Sequence, residues 1–209
     1  MFWQNVNLRI KLNSLLAFAI FMSPVAFAQG PAQESAQPPV PESAPGAFRI
    51  TKITKNLITA PQFSYGGAER YATDQHERWL EVETEFTAAP QFTDELTFKY
   101  YVLFDGQLLT GEVTHINILG GRERRSVMYV PPNALAYFSN NREITIASCQ
   151  NVAVQVVQRG AVKDEASLQR AAPQWFAAIQ QIPGFLLNKN QTPFAPLFWD
   201  RYEQIKTER

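Results

Sequence analysis

From position 80 the chain alternates. Leu80, Val82, Thr84 and Phe86 fall on one side and Glu81, Glu83 and Glu85 on the other. That period of two is the mark of a half-buried strand with a wet, acidic face. Ala89 and Pro90 interrupt it. Alternation resumes with Leu96, Phe98, Tyr100, Val102 and Phe104 on one face and Thr97, Lys99, Tyr101 and Leu103 on the other. Asp105 and Gly106 then supply a two-residue hairpin turn, since type I′ geometry needs positive φ at both central positions. Counting outward from that turn sets a register. Leu103 faces Leu108, Val102 faces Leu109, Tyr100 faces Gly111, Lys99 faces Glu112 and Phe98 faces Val113. One face becomes an apolar ladder and the other gains an opposite-charge pair; a slip of one residue destroys both. Gly111 leaves room for the Tyr100 ring to lie across the partner strand. Gly120 and Gly121 read as the next turn, returning residues 124–130 as a further strand with Met128 against Val113. The expectation is a three-strand meander that follows the acidic strand.

Elsewhere the strands are shorter. Phe48, Ile50 and Ile53 open a first strand that runs to Ile58, and residues 64–76 form a polar loop. Pro131 and Pro132 end the strand at 124–130. Residues 133–138 make a corner or a single helical turn, with Tyr137 where a tyrosine corner would lie. Ile144 and Ile146 continue as a strand towards Cys149; Val152, Val154 and Val156 form another, and Ala161 and Val162 a last short one. Seven or eight close-spaced strands with turn signals between them predict an all-β domain, an immunoglobulin-like β-sandwich over residues 48–165. Past it, Pro173 suits the first position of a helix. Trp175, Phe176, Ile179 and Ile182 then share one helical face until Pro183 and Gly184. Pro196 opens a second candidate, with Phe198, Tyr202 and Ile205 on one side. Residues 166–209 are therefore expected to be a short helical C-terminal appendage packed on the sandwich.

The chain has an address as well as a fold. Arg9 and Lys11 precede an apolar run, residues 15–22, and then Pro24 and Ala26-Phe27-Ala28. This is the basic, apolar and small-x-small order of a cleavable signal, expected over residues 1–28 and read by the Sec pathway. The apolar run is too short to span a membrane. No Cys stands at the cleavage site, as in a bacterial lipoprotein, and no Gly-Phe junction, as in a prepilin. Residues 29–47, rich in Pro, Gln, Ala and Ser, read as a semi-extended linker. Cleavage leaves 17 basic against 19 acidic residues, because Arg9 and Lys11 are lost from 19 of each. A near-neutral chain without a basic patch excludes nucleic acid as the partner.

Candidate chemistry is sparse. His76 and Glu77 begin like a zincin motif, but Leu80 stands where the second His is needed. Asp74, His76 and Glu77 read as a solvated loop, not as a metal site. His115, facing Leu96, reads as a satisfied sheet-edge histidine. Glu81, Glu83 and Glu85 share a face like paired catalytic carboxylates, but nothing suggests an apolar pocket beside them, so a solvated face is expected. Arg122, Arg124 and Arg125 flank the Gly120 turn as a solvated cationic tip. Cys149 is the single cysteine; it reads as a buried core residue without an activating base. The sequence carries no G-x-S-x-G, phosphate loop or Rossmann fingerprint. No catalytic residue, metal ligand or cofactor is assigned, and no binding residue is singled out.

The layout resembles the small exported proteins of verrucomicrobial envelopes linked to a type IV pilus-like gene cluster. The resemblance rests on the signal ending in Ala26-Phe27-Ala28, the Pro/Gln linker, the opening Phe48-Arg49-Ile50-Thr51-Lys52-Ile53, the segment Ser148-Cys149-Gln150-Asn151-Val152 and the tail Pro193-Phe194-Ala195-Pro196-Leu197-Phe198-Trp199. It implies an immunoglobulin-like sandwich similar to pilin or archaellum-stator domains, in the periplasm or at the outer membrane or cell surface. It brings no catalytic residues. Lacking the prepilin site and its apolar N-terminal helix, the chain is expected to be an accessory, not the polymerising subunit. The function expected is that of a non-enzymatic envelope protein that binds envelope or pilus-system proteins, with peripheral or linker-mediated membrane association. The alternative is a carbohydrate-binding module or a small exported hydrolase. Exposed Trp79, or Trp175 and Trp199 in one row, would favour the sugar.

Overall fold

A computed structural model describes residues 46–61 and 77–207. The described residues form seven strands: β1 (Phe48–Thr59), β2 (Arg78–Phe104), β3 (Gln107–Val130), β4 (Cys149–Gln158), β5 (Ala161–Ser167), β6 (Gln181–Pro183) and β7 (Leu187–Asn188). One helix, α1 (Pro132–Phe138), connects β3 to β4. The strands make a single sheet in the order β5-β4-β2-β3-β6, with β1 also on β2 and β7 also on β3. All pairings are antiparallel except β3 with β6.

The β2–β3 hairpin is the frame. Asp105 and Gly106 turn it with φ of 46° and 79°, and the register counted from that turn holds from Leu103 opposite Leu108 to Leu96 opposite His115. The hairpin does not stop there. It continues to Leu80 opposite Val130, so Met128 pairs with Val82 and not with Val113. Gly120 and Gly121 are not a hairpin turn, and Ala89 and Pro90 do not end a strand. The two interruptions lie across from each other, with Ala88 opposite Gly121, and together they bend both strands at one place. Register shifts flank Ala88 there. A Cβ on Gly120 would stand 2.4 Å from the Pro90 carbonyl oxygen, so the strands cross too closely for any side chain.

The bend turns one sheet into two facing layers. The first half of β2 carries β1, and the second half carries β4 on the same edge. Apolar residues from both halves meet in one core: Leu80, Val82 and Phe86 against Phe98, Val102 and Val154. The Phe86 and Phe98 rings lie 4.7 Å apart. The Ile50 N–H of β1 donates to the Asp164 carboxylate of β5 at 2.6 Å, tying the layers at their rim. The molecule is therefore an all-β sandwich. The room at Gly111 is filled by Leu186 from outside the hairpin and by Met128 from the far half of β3, whose atoms would lie 2.6 Å and 3.0 Å from a Cβ there.

Three expectations need correction. Ile144 and Ile146 do not extend a strand; Ile146–Ser148 is a 3-10 turn leading into β4. Tyr137 is 71% exposed and makes no tyrosine corner. The C-terminal segment is not helical. Its Trp175–Ala178 stretch is one 3-10 turn entered through Gln174 at φ 51°, and β6, β7 and further turns follow. Pro183, Pro193 and Pro196 interrupt any longer helix. The aromatic spacing that suggested helices instead sets rings one by one onto flat sheet faces. Phe176 stacks on Tyr101 with centroids 3.8 Å apart, and Phe194 stacks on Tyr129 at 4.8 Å.

Gly120→Ala is expected to destabilise the domain by about 1–3 kcal/mol, the usual cost of forcing atoms into a close-packed contact. Chemical denaturation of the purified domain checks this.

Candidate functional site

The outer face of the first layer carries the three glutamates, and it is not wet. Trp79, Glu81, Glu83 and Glu85 of β2 lie beside Val127 and Tyr129 of β3, since Glu81 pairs with Tyr129, Glu83 with Val127 and Glu85 with Arg125. Residues 194–202 of the C-terminal segment close over this surface. Phe194 is 3% exposed, edge-on to Trp79 at 5.6 Å and stacked on Tyr129. Ile58, Leu187 and Leu197 pack around them. The apolar residues on the acidic face were the missed signal: Trp79 and Tyr129 have no reason to share a solvated face with a glutamate stripe.

Glu83 is only 5% exposed. Arg201 grips it through Nε at 3.1 Å and Nη2 at 2.8 and 2.9 Å, and the Tyr202 hydroxyl donates to it at 2.8 Å. Arg125 lies 3.9 Å from Glu83 and 3.4 Å from Glu85. Glu81 accepts from Asn56 at 3.3 Å and from the Tyr129 hydroxyl at 3.4 Å. A carboxylate out of water is tolerable only with such charged and hydrogen-bonding partners. The bonds to Glu83 hold the Arg201 guanidinium pKa above its usual range. Burial, then the bond to Glu83, pushes the Tyr202 hydroxyl up in the same direction, so it stays a proton donor. The glutamates are thus a docking rail for the chain's own C-terminal segment.

Beside the clamp lies a cavity of about 900 Å³ between the end of β1 and this segment. Leu57, Ile58, Phe194 and Leu197 line its apolar side, and Arg78 and Arg201 its polar side. Phe198, on the same wall, is 53% exposed, and the next residue, Trp199, is 82% exposed. Phe198 sits at φ 51°. A side chain in that left-handed region costs about 1–2 kcal/mol. The turn is held from both sides, by the Arg201 N–H on the Phe198 carbonyl at 3.2 Å and by the Arg201 side chain on Glu83. The clamp therefore fixes a strained turn that presents two aromatic rings to solvent.

The other singled-out residues are scattered. Trp175 is half-buried and donates to the Ser167 hydroxyl at 3.0 Å, so it forms no exposed row with Trp199. Arg124 binds the Glu203 carboxylate at 3.4 Å and the Gly120 carbonyl at 3.3 Å. With Arg125 paired with Glu85 at 3.4 Å, only Arg122 of the supposed cationic tip is fully exposed. Asp74 and His76 lie outside the described residues, and Glu77 is exposed at the start of β2. Among the described residues no three His, Cys, Asp or Glu side chains are grouped to hold a metal ion.

Cys149 is buried, and burial pushes its thiol up to about 11, with Lys55 pulling the other way. A thiol so placed is a poor nucleophile. His115 and Ser126 look like a catalytic pair on distance alone, with Nε2 2.8 Å from Oγ. Both are sealed in the core, 1% and 0% exposed. The His115 Nδ1 meets the Glu203 carbonyl at 3.0 Å. A carbonyl only accepts, so Nδ1 carries the proton and Ser126 donates to Nε2. That polarity is the one a catalytic serine has, but such a hydroxyl must face a substrate, and this one is sealed in the core.

Fold and site together define a β-sandwich clad by its own C-terminal segment. The chain belongs to the family whose model matches residues 40–209. A crystal structure from Akkermansia muciniphila has the same fold, with a TM-score of 0.66 and 22% identity over 78% of this chain and 95% of that one. Akkermansia is a verrucomicrobium, the group to which the sequence resemblance points. No curated protein matches the chain.

Phe194→Ala is expected to cost about 3–5 kcal/mol, because it empties the space between Trp79 and Tyr129. A thermal-melt and denaturant series on the variant measures it.

Proposed function

We propose that this is an exported, non-enzymatic cell-envelope protein that serves a type IV pilus-like assembly by binding another protein of it. The observation that carries the reading is the strained turn at Phe198. Backbone strain in a well-anchored turn is a recurrent feature of binding sites, and this one holds Phe198 and Trp199 out beside a cavity with one apolar and one charged side. Exposed aromatic anchors next to a concave surface are what protein interfaces use. The export signal, the linker and the resemblance to pilus-linked verrucomicrobial proteins supply the place and the kind of partner.

The sugar-binding alternative loses its main support with Trp79, which is 8% exposed. Trp199 alone keeps it in view, since one exposed indole can stack on a sugar ring. The hydrolase alternative finds a Ser–His pair that is sealed from solvent.

Crosslinking and mass spectrometry on intact cells test the proposal. Links from residues near Trp199 to pilus-system proteins, reduced at least tenfold by Trp199→Ala with the fold intact, are the expected result. Links only to abundant bystanders would overturn it; retention of this domain on a glycan array through Trp199 would establish the alternative.

A further inference from the structure

β3 pairs with β2 along one edge, and its other edge would lie open to any passing strand. The C-terminal segment covers that edge in pieces. β6 runs beside Leu108, Leu109 and Thr110, and β7 beside Met128 and Tyr129. Between them, inside the bend, residues 203–206 close the gap. The Glu203 N–H donates to the Arg125 carbonyl at 3.1 Å, the Ile116 N–H to the Gln204 carbonyl at 2.9 Å and the Lys206 N–H to the Thr114 carbonyl at 2.8 Å. His115 is the centre of this stretch: it bridges to Ile205, and its ring binds the Glu203 carbonyl.

Both ring nitrogens are used by the neutral form, Nδ1 as donor and Nε2 as acceptor. A second proton must go to Nε2, where the Ser126 hydroxyl now donates, and it would leave a positive charge edge-on to Phe98, 5.5 Å away. Among the described residues no carboxylate is bonded to the ring, whose partners are the Glu203 carbonyl and the Ser126 hydroxyl. From β2, Tyr100 and Thr84 approach with buried hydroxyls, that of Tyr100 beside Ser126, and Glu83 points to the opposite, outer face. From β3, Arg124 and Arg125 flank the site and add positive charge. From the C-terminal segment come Glu203, its carboxylate held by Arg124 at 3.4 Å, and Lys206, paired with Glu95 at 2.6 Å. Lifting residues 203–206 opens the ring to water and removes the penalty.

We propose that residues 203–206 form a latch on the edge of β3 which acid opens by protonating His115. Burial lowers the ring from its ordinary 6.5 to about 4 in the closed form. The open form therefore binds more protons between those values. Closure is fully favoured above pH 6.5 and weakens as pH falls, up to tenfold per unit, about 300-fold in all once pH is below the closed-state value. Glu203 works against this. Burial raises its carboxyl despite Arg124, so its own protonation favours closure. The His115 contribution is what a variant at that position isolates. The latch gives the protein an edge strand that is guarded at neutral pH and offered to a partner strand in acid.

The test is hydrogen exchange by NMR on the full chain from pH 7 to pH 4, corrected for the intrinsic rate at each pH. Protection of the Ile116 and Lys206 amides is expected to fall at least tenfold while the Val102 amide, in mid-hairpin, holds. His115→Gln should remove the fall. Unchanged protection, or an equal fall in the variant, overturns the proposal. Should the variant fail to fold, the ring titration of His115 in the native chain decides. Loss of protection that follows ring protonation supports the latch; a ring that titrates near 6.5 under fully protected amides overturns it.

Discussion

The Glu83 carboxylate is shut away from water on an outer sheet face, and nothing in its own hairpin can satisfy it alone. Arg125 reaches it only at 3.9 Å. The partners that make it tolerable, Arg201 and Tyr202, come from the far end of the chain. A buried charge that loses its partner costs several kcal/mol, so the C-terminal segment is held to this face by more than apolar contact. The rest follows from that anchor. With Arg201 fixed, Phe194 lies between Trp79 and Tyr129, the Phe198 turn is stretched into its left-handed conformation, and residues 203–206 are delivered to the edge of β3.

The same segment solves three problems left by the bent hairpin. Bending one long sheet over itself makes a core, but it leaves two apolar outer patches and one open edge. Phe176 covers the patch at Tyr101, Leu108 and Ala153. Phe194 covers the patch at Trp79, Val127 and Tyr129. The short strands β6 and β7 and the bridge at Ile205 guard the edge. Cladding of this kind needs no regular structure, because each aromatic ring is received by a flat sheet surface.

Local signals in the sequence were legible where the physics was local. The Asp105 turn set its own register, and every pair counted from it is present out to His115. The Gly120 and Pro90 signals were each legible as breaks, but their meaning lay in being opposite one another across 27 and 24 residues of strand. Pairing across such a distance is not written in either segment. The acidic stripe shows the same limit. Alternation placed Glu83 on the outer face correctly; that the face is covered depends on Arg201, 118 positions away. The aromatic spacing near Trp175 marked residues that are buried or half-buried, and a period near 3.6 suggested the wrong backbone for packing them. Of the candidate site, Trp199 entered the reading only with Trp175, as a row whose exposure would favour a sugar; the expectation for the late aromatics was packing on the sandwich, and Trp199 is 82% exposed.

A double-mutant cycle between Glu83 and Arg201 tests the central claim most directly. Stability is measured for Glu83→Gln, Arg201→Met and the two together. Arg201 is partly exposed, which reduces the coupling below that of a fully buried pair. The account predicts a coupling of about 2–3 kcal/mol, with the double variant no less stable than either single one. Additive effects, or a coupling within about 0.5 kcal/mol of zero, would mean that the C-terminal segment is held by its rings alone and that Glu83 does not organise the structure.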